Sequence, residues 1–210
     1  MGHIVLLGDS IFDNAAYTRG EPDVTAHLRR ALPASWRATL CAVDGATTLT
    51  MAPQLDSVPR NATHLVVSVG GNDALSNIDL LLTPVGSTSE ALTMFANRVR
   101  SFESSYQKIV ETILGLRKPV TLCTIYNGWF PDPQQAVRAR VALMLFNDVI
   151  VRTAFALRTG IIDLRFVCAD ATDFANAIEP SGRGGLKIAN AIARAAGAAD
   201  DSGKMRVVIG

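Results

Sequence analysis

Five short apolar runs punctuate the chain, and they constrain its fold more than any other feature. They are HIVLLG (3–8), WRATLCAV (36–43), THLVVSVG (63–70), VTLCTIY (120–126) and GIIDLR (160–165). Each is nearly continuous in hydrophobicity rather than alternating, as in a strand covered on both faces of a parallel sheet. Helical stretches lie between them. DVTAHLRRAL carries Asp23 as an N-cap, and TSEALTMFANRVRSFESSYQKIVETILGLRK is closed by Pro119. DPQQAVRARVALMLFNDVIVRTAFALRTG has Pro133 near its start and Gly160 as its stop, and SGRGGLKIANAIARAAG is capped by Ser181. The order implied is β-α-β-α-β-α-β-α-β-α. Right-handed crossovers turn that order into an open, doubly wound α/β sheet with helices on both faces. One domain is expected over residues 1–198, with a C-terminal tail over 199–210.

Composition narrows the function. The chain has 210 residues, 49% hydrophobic and 19% charged, enough for a well-buried core. A formal net charge of +1 gives no electrostatic case for nucleic acid or an acidic membrane surface. No apolar run reaches the ~20 residues of a membrane span. Cys41, Cys123 and Cys168 are odd in number, widely spaced and set in or beside apolar runs. They read as buried free thiols in a reducing compartment, not as a disulfide framework or a metal site. The chain enters a strand at once, without a leader pattern, so a cytoplasmic protein is expected. No cofactor or metal is expected.

In a doubly wound sheet, ligands bind beyond the carboxyl ends of the strands. Here those ends are followed by Gly8-Asp9-Ser10, Asp44-Gly45-Ala46, Gly70-Gly71-Asn72-Asp73, Asn127-Gly128-Trp129, and a loop holding Asp170, Asp173, Asn176, Glu179 and Ser181. Turn chemistry explains each loop singly. Together they put small and polar residues on one edge, around a serine. Ser10 would open a helix, with its own N–H facing developing negative charge. Gly45 can bring a second N–H close, and the Asn72 amide a third donor. Three donors around one serine make an oxyanion hole. Asp9, Asn14, Asn127 and Trp129 are the expected substrate contacts, with Asp13, Tyr126 and Phe130 near the mouth. Asp9 is also expected to cap the turn that presents Ser10. ALMLF (142–146) is core or a homodimer face. SGRGGLK could meet an anion at a helix N-terminus, or simply allow a close helix contact.

On GDSI (8–11), Gly45 in VDGATT, and GGND (70–73), the chain resembles the SGNH hydrolases, or GDSL-type esterases and lipases. The resemblance spans essentially the whole chain. It implies a three-layer α/β/α sandwich, flavodoxin-like, around a five-stranded parallel sheet. It also implies hydrolysis of small-molecule esters or related acyl groups, with Ser10 as nucleophile and Gly45 and Asn72 in the oxyanion hole.

The family's last block is Asp-x-x-His. Here it reads Asn176-Ala177-Ile178-Glu179. None of the three histidines is suitably placed. His3 and His64 open strands at the far end, and His27 lies within a helix. Three readings follow. Glu179 replaces histidine as general base, with Asp173 sharing or polarising its proton. Alternatively, the chain is a catalytically impaired SGNH-fold protein that binds an acyl or carbohydrate ligand without turnover. In the third reading, a histidine arrives from elsewhere. Burial would raise the Glu179 pKa, whereas Arg165 or Arg183 beside it would lower it.

Overall fold

A computed structural model describes residues 1–199; residues 200–210, most of the expected tail, lie outside the described residues. Five strands form one parallel sheet: β1 (Gly2–Gly8), β2 (Trp36–Leu40), β3 (His64–Ser68), β4 (Val120–Cys123) and β5 (Gly160–Ile162), in the order β2-β1-β3-β4-β5. Six α-helices accompany them: α1 (Val24–Ala31), α2 (Gly71–Leu75), α3 (Thr88–Leu114), α4 (Pro133–Ala156), α5 (Leu164–Val167) and α6 (Gly182–Ala195). Asp23 and Ser181 cap α1 and α6 as expected, accepting from the N–H groups of Ala26 and Gly184.

The β2–β3 connection departs from the strict alternation expected. It contains a 3-10 turn, Ala52–Ser57, and no α-helix. Pro53 and Pro59 explain the difference, because each removes a backbone donor and together they leave no room for a longer helix.

Alternate residues of the central strands feed opposite cores. Val5, Leu7, Leu65 and Val67 face α3 and α4, packing with Tyr106, Phe146 and Ile150. Ile4, Leu6 and Val66 face α1 and α6, packing with Leu28, Ile188 and Ile192. The sheet is therefore sealed on both faces, and its polar chemistry is confined to its edges. The winding of the sheet reverses between β1 and β3, since β1 leads to β2 on one side while β3 lies on the other. A crevice at that switch point is where such sheets take ligands.

ALMLF divides between two surroundings. Phe146 is buried, whereas Met144 and Leu145 point outward. Gly184 and Gly185 of SGRGGLK serve close packing. A Cβ at Gly184 would lie 2.1 Å from the Asp173 carbonyl, and one at Gly185 would touch Val24. Among the described residues no helix is long and apolar enough to cross a membrane.

Two buried amides fix the strand ends that carry the site. Gln54 accepts from the Gly8 N–H at 2.8 Å and donates to the Gly8 carbonyl at 2.7 Å. Asn147 does the same for Ile125, at 2.7 and 2.8 Å. Removing Gln54 leaves the buried Gly8 N–H unpaired, at about 1–3 kcal/mol, while the Gly8 carbonyl keeps the Val43 N–H at 3.1 Å. Gln54→Ala should therefore lower unfolding free energy by roughly 1–3 kcal/mol in urea titrations, whereas a loss under ~0.5 kcal/mol would show the clamp to be redundant.

Candidate active site

Ser10 is positioned by a glycine that nothing else replaces. Gly8 has φ +128°, and a Cβ there would sit 1.8 Å from the Ser68 carbonyl oxygen. The chain can thus turn at the end of β1 only against the backbone of β3. The Asp9 N–H completes the junction by donating to that carbonyl at 3.0 Å. Ser10 follows, buried, and its hydroxyl donates to Glu179 Oε1 at 3.0 Å.

Glu179 reaches this place through the loop before α6. Phe174 and Pro180 pair across it, and the Ala175 N–H donates to the Glu179 carbonyl. Asn176 Oδ1 accepts the N–H groups of both Ile178 and Glu179, each at 2.9 Å. The asparagine in the family's aspartate position therefore organises the turn that presents the glutamate. Tyr126 donates to the Ile178 carbonyl at 2.5 Å, and the Trp129 N–H donates to the Ala177 carbonyl at 2.8 Å. Gly128, at φ +70°, makes that second approach possible, because a Cβ there would lie 2.6 Å from the Ala177 oxygen.

The Glu179 side chain is 6% exposed, and its Oε2 has no partner among the described residues. Burial raises its pKa from 4.5 to about 7; the Ser10 hydrogen bond opposes the rise, and the Asp44 charge adds to it. Neither arginine lowers it. Arg165 is bound to Asp163, and Arg183 lies 3.8 Å from Asp173. Asp173 is not Glu179's partner either. It accepts from Lys187 at 2.8 Å and from the N–H groups of Ala169 and Asp170.

Asp9 caps the turn by accepting the Ile11 N–H at 3.1 Å. Burial drives its pKa from 3.8 to about 8, with help from the charges of Glu179 and Asp73. It is therefore mainly neutral at pH 7. In that form it places no charge beside Ser10.

The Asn72 amide donates one N–H to the Ala46 carbonyl at 3.0 Å, which ties β3's loop to Gly45's loop. Asp73 holds the same loop by accepting the Thr48 N–H and hydroxyl, the latter at 2.6 Å. Gly45 itself is exposed, with φ +78°. Within the described residues, no hydrogen bond consumes the N–H of Ser10 or Gly45.

Ser10, Asn72, Asn127, Asp9 and Glu179 line one cleft, open to solvent at its mouth. Other expected contacts lie elsewhere. Asn14 is fully buried, donating to the Pro180 carbonyl and accepting the Val24 N–H, so it braces the Glu179 segment and does not line the cleft. Trp129 is 49% exposed and lies outside the lining, where Phe130 stands instead. Asp13 accepts the Asp44 N–H. The histidines stay remote from Ser10. His3 bonds Asn61 and Thr39, His64 stacks on Trp36, and His27 packs by Gly185.

The roles of Gln54, Thr48 and Tyr126 left no sequence signal. Asn147 did leave one, as a lone amide inside the apolar run ALMLFNDVIV.

The fold recurs in solved structures. A lipase from goat rumen metagenome is similar at TM-score 0.71 and 20% identity, over 94% of this chain and 98% of that one. An extracellular lipase from Streptomyces rimosus is similar at 0.69 and 16%, over 93% and 100%. Axe2, an acetylxylan esterase from Geobacillus stearothermophilus, is similar at 0.65 and 18%, over 93% and 94%. At such identities the likeness is one of fold. Among curated proteins none matches the chain in sequence. The model of the GDSL-like lipase/acylhydrolase family, however, matches residues 6–184. Spanned by that match from the first strand to the start of α6, the chain belongs to the GDSL-like lipase/acylhydrolase family.

Proposed function

We propose that the chain is a serine hydrolase acting on esters or related acyl groups, with Ser10 as nucleophile and Glu179 as general base. The 3.0 Å hydrogen bond from Ser10 to a buried carboxylate carries this reading. An ordinary carboxylate is a weak base beside imidazole, whose pKa is near 6.5. At about 7, Glu179 has an imidazole's basicity, supplied chiefly by desolvation. The buried thiols Cys41, Cys123 and Cys168 suit the cytoplasmic location expected from the sequence.

The reaction runs in two halves. Ser10 Oγ bonds to the carbonyl carbon while its proton passes to Glu179, and the carbonyl π pair moves onto oxygen. The N–H groups of Ser10 and Gly45 and the Asn72 amide stabilise that oxyanion. Collapse restores the carbonyl and breaks the bond to the alcohol oxygen, which takes the proton from Glu179. Water then gives a proton to Glu179 and its oxygen to the acyl carbon. A second collapse releases the acid and returns the proton to Ser10. The net change is ester plus water to acid plus alcohol.

Two substitutions test the assignment. Glu179→Gln keeps the side-chain volume but removes the base, so kcat/KM on a short-chain p-nitrophenyl ester should fall about 10²–10⁴-fold. An equally active Glu179→Gln enzyme would exclude the role. Asn72→Ala should lower kcat about 10²–10³-fold, with thermal unfolding little changed; unaltered kcat would make Asn72 a turn residue only.

The pH dependence has two limbs. Ionised Glu179 is the active form, so kcat/KM should climb as pH rises through about 7. Above about 8, ionised Asp9 adds a negative charge beside Ser10, and the rate should fall. Asp9→Asn should remove that basic limb. The same burial links both groups to stability. Their neutral forms are favoured in the fold, so their contribution is full below about pH 4, declines as pH rises, and is gone once pH passes about 8. Over that window wild type should lose stability by on the order of 1 kcal/mol per pH unit per group. Denaturant titrations at pH 5 to 9 should show a smaller loss for Asp9→Asn; parallel losses would contradict the linkage.

A further inference from the structure

The two long helices exceed what the core requires. α3 and α4 have 27 and 24 residues, or about 40 and 36 Å, whereas the longest strand spans only about 23 Å. Their buried side chains begin at Phe102 in α3 and Phe146 in α4. Residues 88–101 and 133–145 have no fully buried side chain, and Val99 and Leu143 pack only partly against the core. A crossover helix starts at the carboxyl edge of a parallel sheet, so these idle halves overhang the edge that holds Ser10.

The overhang walls the cleft with apolar side chains. Phe95 comes from α3, Ala139 and Leu143 come from α4, and Ile78 and Leu81 come from the 3-10 turn after α2. Of the polar residues beyond the catalytic end, Asn77 turns its amide onto the Asp73 carbonyl. Gln135 sits exposed. Water in such a groove has few partners, so an apolar occupant displaces it favourably.

The chemistry of attack orients that occupant. The tetrahedral carbon carries Ser10 Oγ, an oxyanion facing the Ser10, Gly45 and Asn72 donors, and a leaving oxygen that must face Glu179 to be protonated. The acyl carbon takes the remaining direction, away from Glu179 and along α2 toward Ile78, Phe95 and Leu143. We infer that the groove between the overhanging halves of α3 and α4 seats an extended, unbranched acyl chain, so that the enzyme prefers medium- to long-chain acyl esters to acetyl esters. This rests on the Ser10–Glu179 reading for its chemistry and on the groove alone for its binding. A lipase and an acetylxylan esterase share the fold, so the walls and not the sheet must set acyl length.

The test pairs turnover with binding. Each added CH2 buried should raise kcat/KM by about fourfold, so burial of only half of the six extra CH2 groups should already make p-nitrophenyl octanoate exceed the acetate by at least ~30-fold. Ala139→Trp, on a half-exposed helix position, fills the groove and should cut that ratio at least tenfold. Binding is read by calorimetry with 2-decanone, an uncleavable neutral stand-in for a long acyl ester, on Ser10→Ala and Ser10→Ala/Ala139→Trp proteins. The first should bind it and the second at least tenfold more weakly. Preference for acetate, or 2-decanone binding that is absent or indifferent to Ala139→Trp, would overturn the inference. Hydrolysis of acetate alone would leave the Ser10–Glu179 chemistry standing. Ala139→Trp-sensitive 2-decanone binding without hydrolysis of any ester would uphold the groove and remove the chemistry.

Discussion

The site is organised around one desolvated contact, the hydrogen bond between Ser10 and Glu179. In water a carboxylate is too weak a base to serve a serine well. Its basicity here comes from exclusion of solvent, which costs the ionised form more than the neutral one. That exclusion comes from the loop that carries Glu179. Asn176 folds its backbone, Tyr126 and Trp129 pin Ile178 and Ala177, and Asn14 holds Pro180. None of these residues reacts. Each removes a freedom that would let the carboxylate swing into water and return to an ordinary pKa.

The sheet supplies the other half of the arrangement. Both faces are sealed by helices, so reactive groups can gather only where strands end. At the β1–β3 switch point, Gly8 brings two strand ends into direct backbone contact. Ser10 from one and Asn72 from the other then meet without a long loop. Asp73 and Asn72 draw in the Gly45 loop by holding Thr48 and Ala46. A rigid edge thus carries the donors, and the overhanging helices enclose the space before it. The neutral Asp9 shows the same economy of charge. Burial beside two other carboxyl groups suppresses its ionisation, and it remains a turn cap.

Much of this was readable in the sequence, for physical reasons. Continuous apolar runs identify doubly covered strands, and the residues after them must lie on one edge. That logic brought Ser10, Gly45, Asn72 and Glu179 together as candidates. It did not extend to residues whose roles depend on three-dimensional neighbours. Asn14 and Asn127 look alike in sequence, yet one braces the Pro180 backbone and the other faces the cleft. Asp173 lies close to Glu179 in sequence, but Lys187 from α6 claims it. The absence of an α-helix before β3 was foreshadowed by Pro53 and Pro59, whose weight was missed beside the regular alternation elsewhere. Gln54 lies in that same stretch, and nothing local marks it as the clamp on Gly8.

The most direct test of the Glu179 role follows formation of the covalent bond at Ser10. A small fluorophosphonate reacts with an activated serine whatever its acyl preference, and intact mass reads the adduct. The rate of labelling should rise through about pH 7 in wild type, following ionisation of Glu179. It should be absent in Ser10→Ala and slower by about 10²-fold or more in Glu179→Gln. Labelling of Glu179→Gln at the wild-type rate, with the same pH dependence, would contradict the account and place the proton acceptor elsewhere.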